Sequence, residues 1–520
     1  MPSLSAPSVP PGQSGPARSS GQSSGPACQS GQSGQPGQPG PGEELSLFAG
    51  RPWTALLVVS TGAFMSTLDG NIVSVALPVV AGHFHASLPY AQWIVSAYLL
   101  VICCALPLFG RLGDAKGKRP VYRAGFLLFG AASALCGLAG SMETLIAARV
   151  LQGVGGAMLM ANGPGIIVLA FPGTSRGRAF GVMGSAVALG SLAGPALGGV
   201  LLGAFGWSSI FYINIPVALA GAVCVHMLLP RGEPAGKAGF DAAGMLLFSV
   251  GVTALLMTLS HGRDWPVRGL VAGAVFAFMV LGLFVRVERR AKRPMVDMGL
   301  LSHWPFLAGN LGSFLCFAAL FTNAILMPFY LHDVKGLSPM LMGGVLALLP
   351  LVMAVVSPFS GLMSERISQS ALTGAGLLIV AAGLVNQGLL DQASPLWRAC
   401  LGQMAVGLGV SAFVPPNNAS TLSSAPAGKS GLAGSILALI RNIGMVTGVA
   451  VATGVFETAR LSYLRAFASP TAAEITAGFL SGFRCALFTG AALAAIGAGV
   501  SFFRKAGVRP KSPASSQPPL

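Results

Sequence analysis

Trp53–Val80 reads WTALLVVSTGAFMSTLDGNIVSVALPVV, an apolar run interrupted by one acid, Asp69. As a helix it extends roughly 40 Å, enough to cross a bilayer. Asp69 is the only acid deep inside any apolar run of the chain. Insertion scales charge a mid-span Asp roughly 2.5–3.5 kcal/mol, so the group is protonated, paired or both. A buried carboxyl exchanges its proton nearer neutrality than an exposed one, which makes proton coupling the first expectation. The plainer alternative is that Asp69 pins this helix to a partner.

Working outward, 53% of the 520 residues are apolar and only 9% are charged, with a mean hydropathy of +0.72. Soluble proteins carry about 25% charged residues, so the composition describes an all-α integral membrane protein. Fourteen transmembrane helices are predicted, near 53–80, 90–109, 121–139, 144–171, 180–203, 207–229, 240–260, 267–286, 305–331, 341–363, 370–390, 396–416, 431–456 and 479–503. The net charge of +16 would suggest a nucleic-acid partner in a soluble chain. With both termini cytoplasmic, only Arg263, Arg268, Lys335, Arg398, Arg460, Arg465 and Arg484 of the 31 cations fall outside, and Arg149 and Arg441 fall within spans. The excess is a positive-inside bias, and no nucleic acid is needed to explain it.

The eight cysteines form no CxxC pair and read as small core residues. His83 and His85 lack Cys or carboxylate companions, so no metal and no cofactor is expected. Residues 1–50 repeat Gly-Gln-Ser/Pro units that cannot bury a core, and no basic region with a short apolar segment precedes the first helix.

The chain also matches itself at a separation near 250. Pro78/Pro328 and Pro89/Pro339 lie at offset 250, Gly110/Gly361 at 251, and Gly153/Gly407, Gly155/Gly409, Gly190/Gly444 and Gly194/Gly448 at 254. Helices 1–6 and 9–14 therefore read as copies, with helices 7 and 8 inserted between them. The expected organisation is a disordered cytoplasmic tail (1–50), an N-terminal six-helix half (51–230), two inserted helices with linkers (231–300), a C-terminal six-helix half (301–504) and a second disordered tail (505–520). Asp69 maps onto Ala319 and Arg149 onto Gln403, so both buried charges belong to the first half alone. That asymmetry points to one task rather than to scaffold symmetry.

Six stretches carry a family resemblance. Gly110-Arg111-Leu112-Gly113-Asp114-Ala115-Lys116-Gly117-Lys118-Arg119 resembles the GxLxDxxGxRR signature of major facilitator transporters, with Ala115 where Arg is frequent and a degraded second copy at Gly361–Arg366. Arg149-Val150-Leu151-Gln152-Gly153-Val154-Gly155-Gly156-Ala157 is similar to RxxQGxGxA. Gly190, Gly194, Pro195, Gly198 and Gly199 match gxxxGPxxGG, which in the family marks antiporters. Leu68–Pro78 resembles LDxTIVNVALP of the fourteen-span drug:proton antiporters of the EmrB/QacA type, with Asn71 and Ser74 at altered positions. Trp207–Pro216 is similar to WRWIFYINLP, and Arg441-Asn442-Ile443-Gly444 fits the penultimate helix.

The resemblance implies a major facilitator fold, a cytoplasmic latch at Gly110, Asp114, Gly117 and Arg119, and proton coupling through Asp69 and Arg149. At 1.5 Å per residue, Arg149 stands roughly 9 Å beyond Glu143 and Asp69 roughly 14 Å before Pro78, which allows a direct pair without requiring one. Asn71, Gln152 and Arg441 are candidate pocket residues, with Asn310, Asn323 and Asn417 as further candidates in the second half. The expected function is multidrug efflux across a bacterial inner membrane, exchanging small amphipathic compounds, neutral or monocationic, for protons. One charge moved through 100 mV supplies roughly 2.3 kcal/mol, about a 40-fold gradient. A periplasmic adaptor protein is a further candidate partner. A metabolite or nutrient carrier on the same fold is the alternative. A non-transporting sensor or a membrane enzyme would need a soluble domain or a catalytic cluster, and the chain shows no HExxH, phosphate loop or nucleophile triad.

Overall fold

The computed structural model describes residues 52–171, 175–230, 242–261, 267–290, 298–424 and 430–504; both expected tails lie outside the described residues. Backbone polar groups within a bilayer must be satisfied inside the protein, and these residues answer with helices and no strand. The long helices are α1 (Pro52–His83), α2 (Trp93–Lys116), α3 (Lys118–Gly137), α4 (Met142–Ala170), α5 (Arg176–Phe205), α6 (Asn214–Leu228) and α7 (Ala242–His261). They continue with α8 (Val267–Glu288), α9 (Trp304–Phe329), α10 (Pro339–Arg366), α11 (Gln369–Gly388), α12 (Leu396–Ser423), α13 (Ser430–Leu464) and α14 (Ala472–Phe502).

Among the described residues, twelve helices are long and apolar enough to cross a membrane. The sequence led us to expect fourteen. The two that fall short do so for visible reasons. α3 opens with Lys118, Arg119 and Arg123, which dilute its apolar stretch, and α7 contributes a shorter apolar segment, Ala243–Leu255.

Local signals set the ends. Ser141 and Thr144 form a capping box at the start of α4, as Thr471 and Glu474 do for α14. The tight α2–α3 turn needs Gly117, whose φ of 90° is in the left-handed region.

Packing follows the internal repeat. α3 lies on α4, α1 on α5, α2 on α4 and α3 on α6; eight helices later α11 lies on α12, α9 on α13, α10 on α12 and α11 on α14. The correspondence reaches single atoms. A Cβ built on Gly190 would sit 2.7 Å from the Phe64 carbonyl oxygen, and one on Gly444 would sit 2.6 Å from that of Phe314. Likewise Gly153 abuts the carbonyl of Tyr98 at 2.9 Å and Gly407 that of Leu349 at 2.6 Å. Small residues at these crossings let backbones touch, the usual basis of helix association where lipid removes the hydrophobic drive.

The two sets meet where α5 packs on α10, α2 on α13 and α1 on α9. Helices α7 and α8 pack on each other, and α7 leans on α2 and α13. α8 is the least enclosed of the apolar helices, with 17% of its most apolar window buried, whereas α9 is the most enclosed at 83%. α9 is thus a central wall and α8 a peripheral one.

Candidate functional site

The centre of the first six helices holds a closed polar network. Asp69 on α1, Arg149 and Gln152 on α4 and Asn214 at the head of α6 are all fully buried. Arg149 Nη1 donates to Asp69 Oδ2 at 2.6 Å, a direct ion pair. Gln152 Nε2 and Asn214 Nδ2 each donate to Asp69 Oδ1 at 2.8 Å. The carboxylate therefore accepts charge-assisted hydrogen bonds from three side chains, the compensation a buried charge requires.

Gln152 organises the rest. Its Oε1 accepts from Arg149 Nη1 at 2.5 Å and from Cys136 Sγ at 3.7 Å, and its Nε2 donates also to Ser133 Oγ at 2.8 Å. Arg149 Nε donates to the Ile94 carbonyl at 3.0 Å, and its Cζ lies 4.2 Å from the centroid of the Tyr98 ring. Five helices, α1, α2, α3, α4 and α6, are thereby tied to one carboxylate. Arg149 Nη2, Asn214 Oδ1 and Tyr98 OH are buried with no hydrogen-bond partner among the described residues.

Two of the residues expected in a pocket sit elsewhere. Gln152 is inside this sealed network, and Asn71 donates to the Thr67 carbonyl of its own helix at 2.8 Å. Arg441, on α13, is partly exposed, with its Cζ 5.8 Å from the Phe317 ring centroid and its Nε unpartnered.

The glycine motif of α5 connects the network to the other half. Gly190 faces Phe64 and Leu68 of α1, Gly194 would place a Cβ 2.6 Å from that of Asn71, and Gly198 would meet Ile72 Cγ1 at 2.9 Å. One residue further, Gly199 faces α10, 2.6 Å from the Pro339 carbonyl oxygen and 3.2 Å from Gly343 Cα. A Cβ on Gly343 would in turn strike the Pro195 carbonyl. α5 therefore touches the Asp69 helix on one face and, at the adjacent residue, the opposite bundle on the next.

At the α2–α3 turn, Lys118 Nζ lies 2.5 Å from Asp114 Oδ1, with both side chains partly exposed, and Arg119 Nη2 donates to the His226 carbonyl at 2.5 Å near the end of α6. The latter places a cation where a helix C-terminus is most negative. Gly110 sits in looser surroundings, its nearest neighbour beyond its own helix being Ala161 Cβ at 3.9 Å. These contacts stay within the first half.

The second half has a neutral counterpart. Asn323 Nδ2 donates to Gln403 Oε1 at 2.9 Å, both buried. Asn417 donates to the Gly309 carbonyl at 3.0 Å and accepts from Arg504 Nη1 at 3.0 Å, while Asn310 bonds its own helix at Phe306. Among the described residues no group of three or more His, Cys, Asp or Glu is placed to hold a metal, and His83 packs against Phe84 and Trp207.

Sequence reasoning did not single out Asn214, Ser133 or Tyr98. Asn214 had a signal, a lone amide in the apolar run Ile210–Ile215; a serine and a tyrosine inside helices carry none.

The chain matches the Major Facilitator Superfamily over residues 59–449 and 309–518, and it belongs to that family. It is 35% identical to the riboflavin transporter RibZ of Clostridioides difficile over 428 residues, covering 82% of this chain and 92% of that protein. It is 34% identical to the tetracenomycin C resistance and export protein of Streptomyces glaucescens, over 79% of this chain and 77% of that one. With the multidrug efflux pump LfrA of Mycolicibacterium smegmatis it shares 32% identity over 78% and 81% of the two chains. Among solved structures, a bacterial homologue of the human lysosomal transporter Spinster superposes with a TM-score of 0.64 at 14% identity, over 87% of this chain and 96% of that one, which is a likeness of fold. The protein is a multi-pass membrane transporter with bacterial relatives, and not an enzyme.

Proposed function

We propose that this transporter is a proton-coupled exporter of small amphipathic compounds, working by alternating access between two six-helix halves, with α7 and α8 as inserted spans that bring the total to fourteen. In this reading it sits in a bacterial inner membrane with both termini cytoplasmic. The observation that carries it is the line of contacts from Asp69 to the seam. The carboxylate is on α1, α1 lies against Gly190, Gly194 and Gly198 of α5, and the neighbouring face of the same helix sets Gly199 against α10. A change in the bonding of Asp69 would shift α1, and α1 cannot shift without moving a helix that borders the other half. Arg149 cannot realistically deprotonate, so the proton belongs to Asp69 and Arg149 sets its counter-charge.

A cationic substrate finds no counter-charge in this arrangement. Asp69 is fully buried and saturated by Arg149, Gln152 and Asn214, so it offers no free carboxylate to a cationic drug.

The test is proton release from energised inside-out vesicles on addition of a panel of amphipathic compounds, with wild type beside Asp69→Asn. Release that depends on substrate and disappears in the variant is expected. Release that persists in the variant reduces Asp69 to a structural pin. A second reading, a carrier dedicated to one metabolite, is favoured by the 35% identity to a riboflavin transporter, and wild-type silence across the drug panel with a response to flavins would select it.

A further inference from the structure

Arg149 on α4 and Arg504, just past the end of α14, have oxygen partners, while Arg484, well inside α14, is exposed. Arg149 meets Asp69, and Arg504 donates to Asn417 Oδ1 at 3.0 Å and Thr421 Oγ1 at 3.3 Å. Arg441 differs from both groups, having no such partner among the described residues and yet standing on a helix face packed against α9. It stands roughly 16 Å along α13 from the start of that helix, and no hydrogen bond or ion pair reaches its guanidinium among the described residues. A permanently charged group at that depth is costly unless something compensates it.

The surroundings indicate what compensates it. Gly444 and Gly448, one and two turns further on, press α13 onto α9 at Phe314 and Ala318, so this face of α13 looks at the most enclosed helix of the protein and not at lipid. The guanidinium lies over Phe317, and Phe314, Phe317 and Phe321 recur on α9 at the spacing of one helix face. The side chain remains partly exposed despite this enclosure, with its Nε buried and unpartnered. The one deep carboxylate that could have answered it, Asp69, is fully engaged in the first half.

We propose that Arg441 is the counter-charge for the substrate, and that the site takes flat aromatic compounds bearing an acidic oxygen, a carboxylate or a phenolate. The aromatic frame would lie along the phenylalanine strip while the planar guanidinium takes the acid through paired N–H donors, the geometry that distinguishes Arg from Lys. This rests on the exporter reading above and narrows its substrate class.

The experiment uses the purified full-length protein in detergent and two probes of nearly equal shape, 9-anthracenecarboxylate and 9-anthracenecarboxamide, with binding followed by fluorescence polarisation. Wild type is expected to hold the carboxylate about tenfold more tightly than the amide, the scale of one charge-assisted hydrogen bond. In Arg441→Gln the ratio falls to about one with the amide unaffected, and Arg441→Lys keeps part of the preference. A wild-type ratio at or below one, or a preference that survives in Arg441→Gln, overturns the proposal. The wild-type ratio decides alone if the Gln variant does not fold. Neither result touches the broader reading, which stands or falls on substrate-dependent proton release across the amphipathic panel.

Discussion

Asn323 donates to Gln403 over 2.9 Å in the second half, where the first half has Arg149 and Asp69. Gln403 holds the place of Arg149, and Asn323 is one helical turn beyond Ala319, which holds the place of Asp69. The repeat has kept a buried polar bridge between equivalent helices and confined charge to one copy. A neutral amide bridge can hold two helices together as well as an ion pair can, so holding helices together does not explain the charge.

Breaking the ion pair from one side is expected to be far worse than removing it whole. Arg149→Met or Asp69→Leu alone leaves a buried unpaired charge, costing about 3–5 kcal/mol, while the double variant should recover much of that loss. Thermal unfolding of the purified protein checks this. A double variant less stable than both singles would contradict it.

Asn214→Leu should destabilise by about 1.5–3 kcal/mol, since it deletes one charged hydrogen bond and leaves Asp69 Oδ1 with Gln152 alone. Its transport pH profile should move together with that of Gln152→Leu, because both residues act on the same oxygen. Unmoved profiles in both would detach these amides from coupling.

Gly199→Val should assemble normally in the membrane yet lose transport, because its side chain would collide with Pro339 and Gly343 of α10. Gly203→Val, one turn on and with open space around it, is the matched control and should transport as wild type. Uptake into inside-out vesicles separates the two.

Gly117→Ala forces a side chain onto a φ of 90° and should cost about 1–2 kcal/mol. A lowered Tm of the purified protein is the expected result, and an unchanged Tm would contradict it.

In the loop between α11 and α12, the Ser394 hydroxyl and backbone N–H donate to Asp391 Oδ1 at 2.7 and 2.6 Å and hold its carboxyl below the usual carboxylate value. A depressed carboxyl stabilises the folded loop above its unfolded value, and that contribution is lost as pH falls through the folded one. Limited proteolysis of this loop should therefore accelerate only under acid, and Ser394→Ala should blunt the pH dependence.

Much of this was readable beforehand because apolar runs and isolated charges stand out in a sequence. Asp69 and Arg149 were visible as charges in the wrong solvent, and the offsets of 250 and 254 reappear as Gly190 on Phe64 and Gly444 on Phe314. The partners were not visible. A buried amide such as Gln152 serves equally as a pocket donor or as a clamp on a carboxylate, and only three-dimensional proximity separates the two. Ser133 and Tyr98 have no sequence mark because their helices would need the same residues for packing. The count of spans was hardest at α3, where the cations that orient the helix also lower its apolarity.

The α5–α10 seam has a mechanical consequence. Gly199, Gly343 and the carbonyls of Pro195 and Pro339 meet there as bare backbone. At that point of contact there are no rotamers to unlock when the seam slides, only shallow dispersion contacts to trade. It is shaped like a plain bearing, on which a small displacement of one bundle is resisted by fit alone.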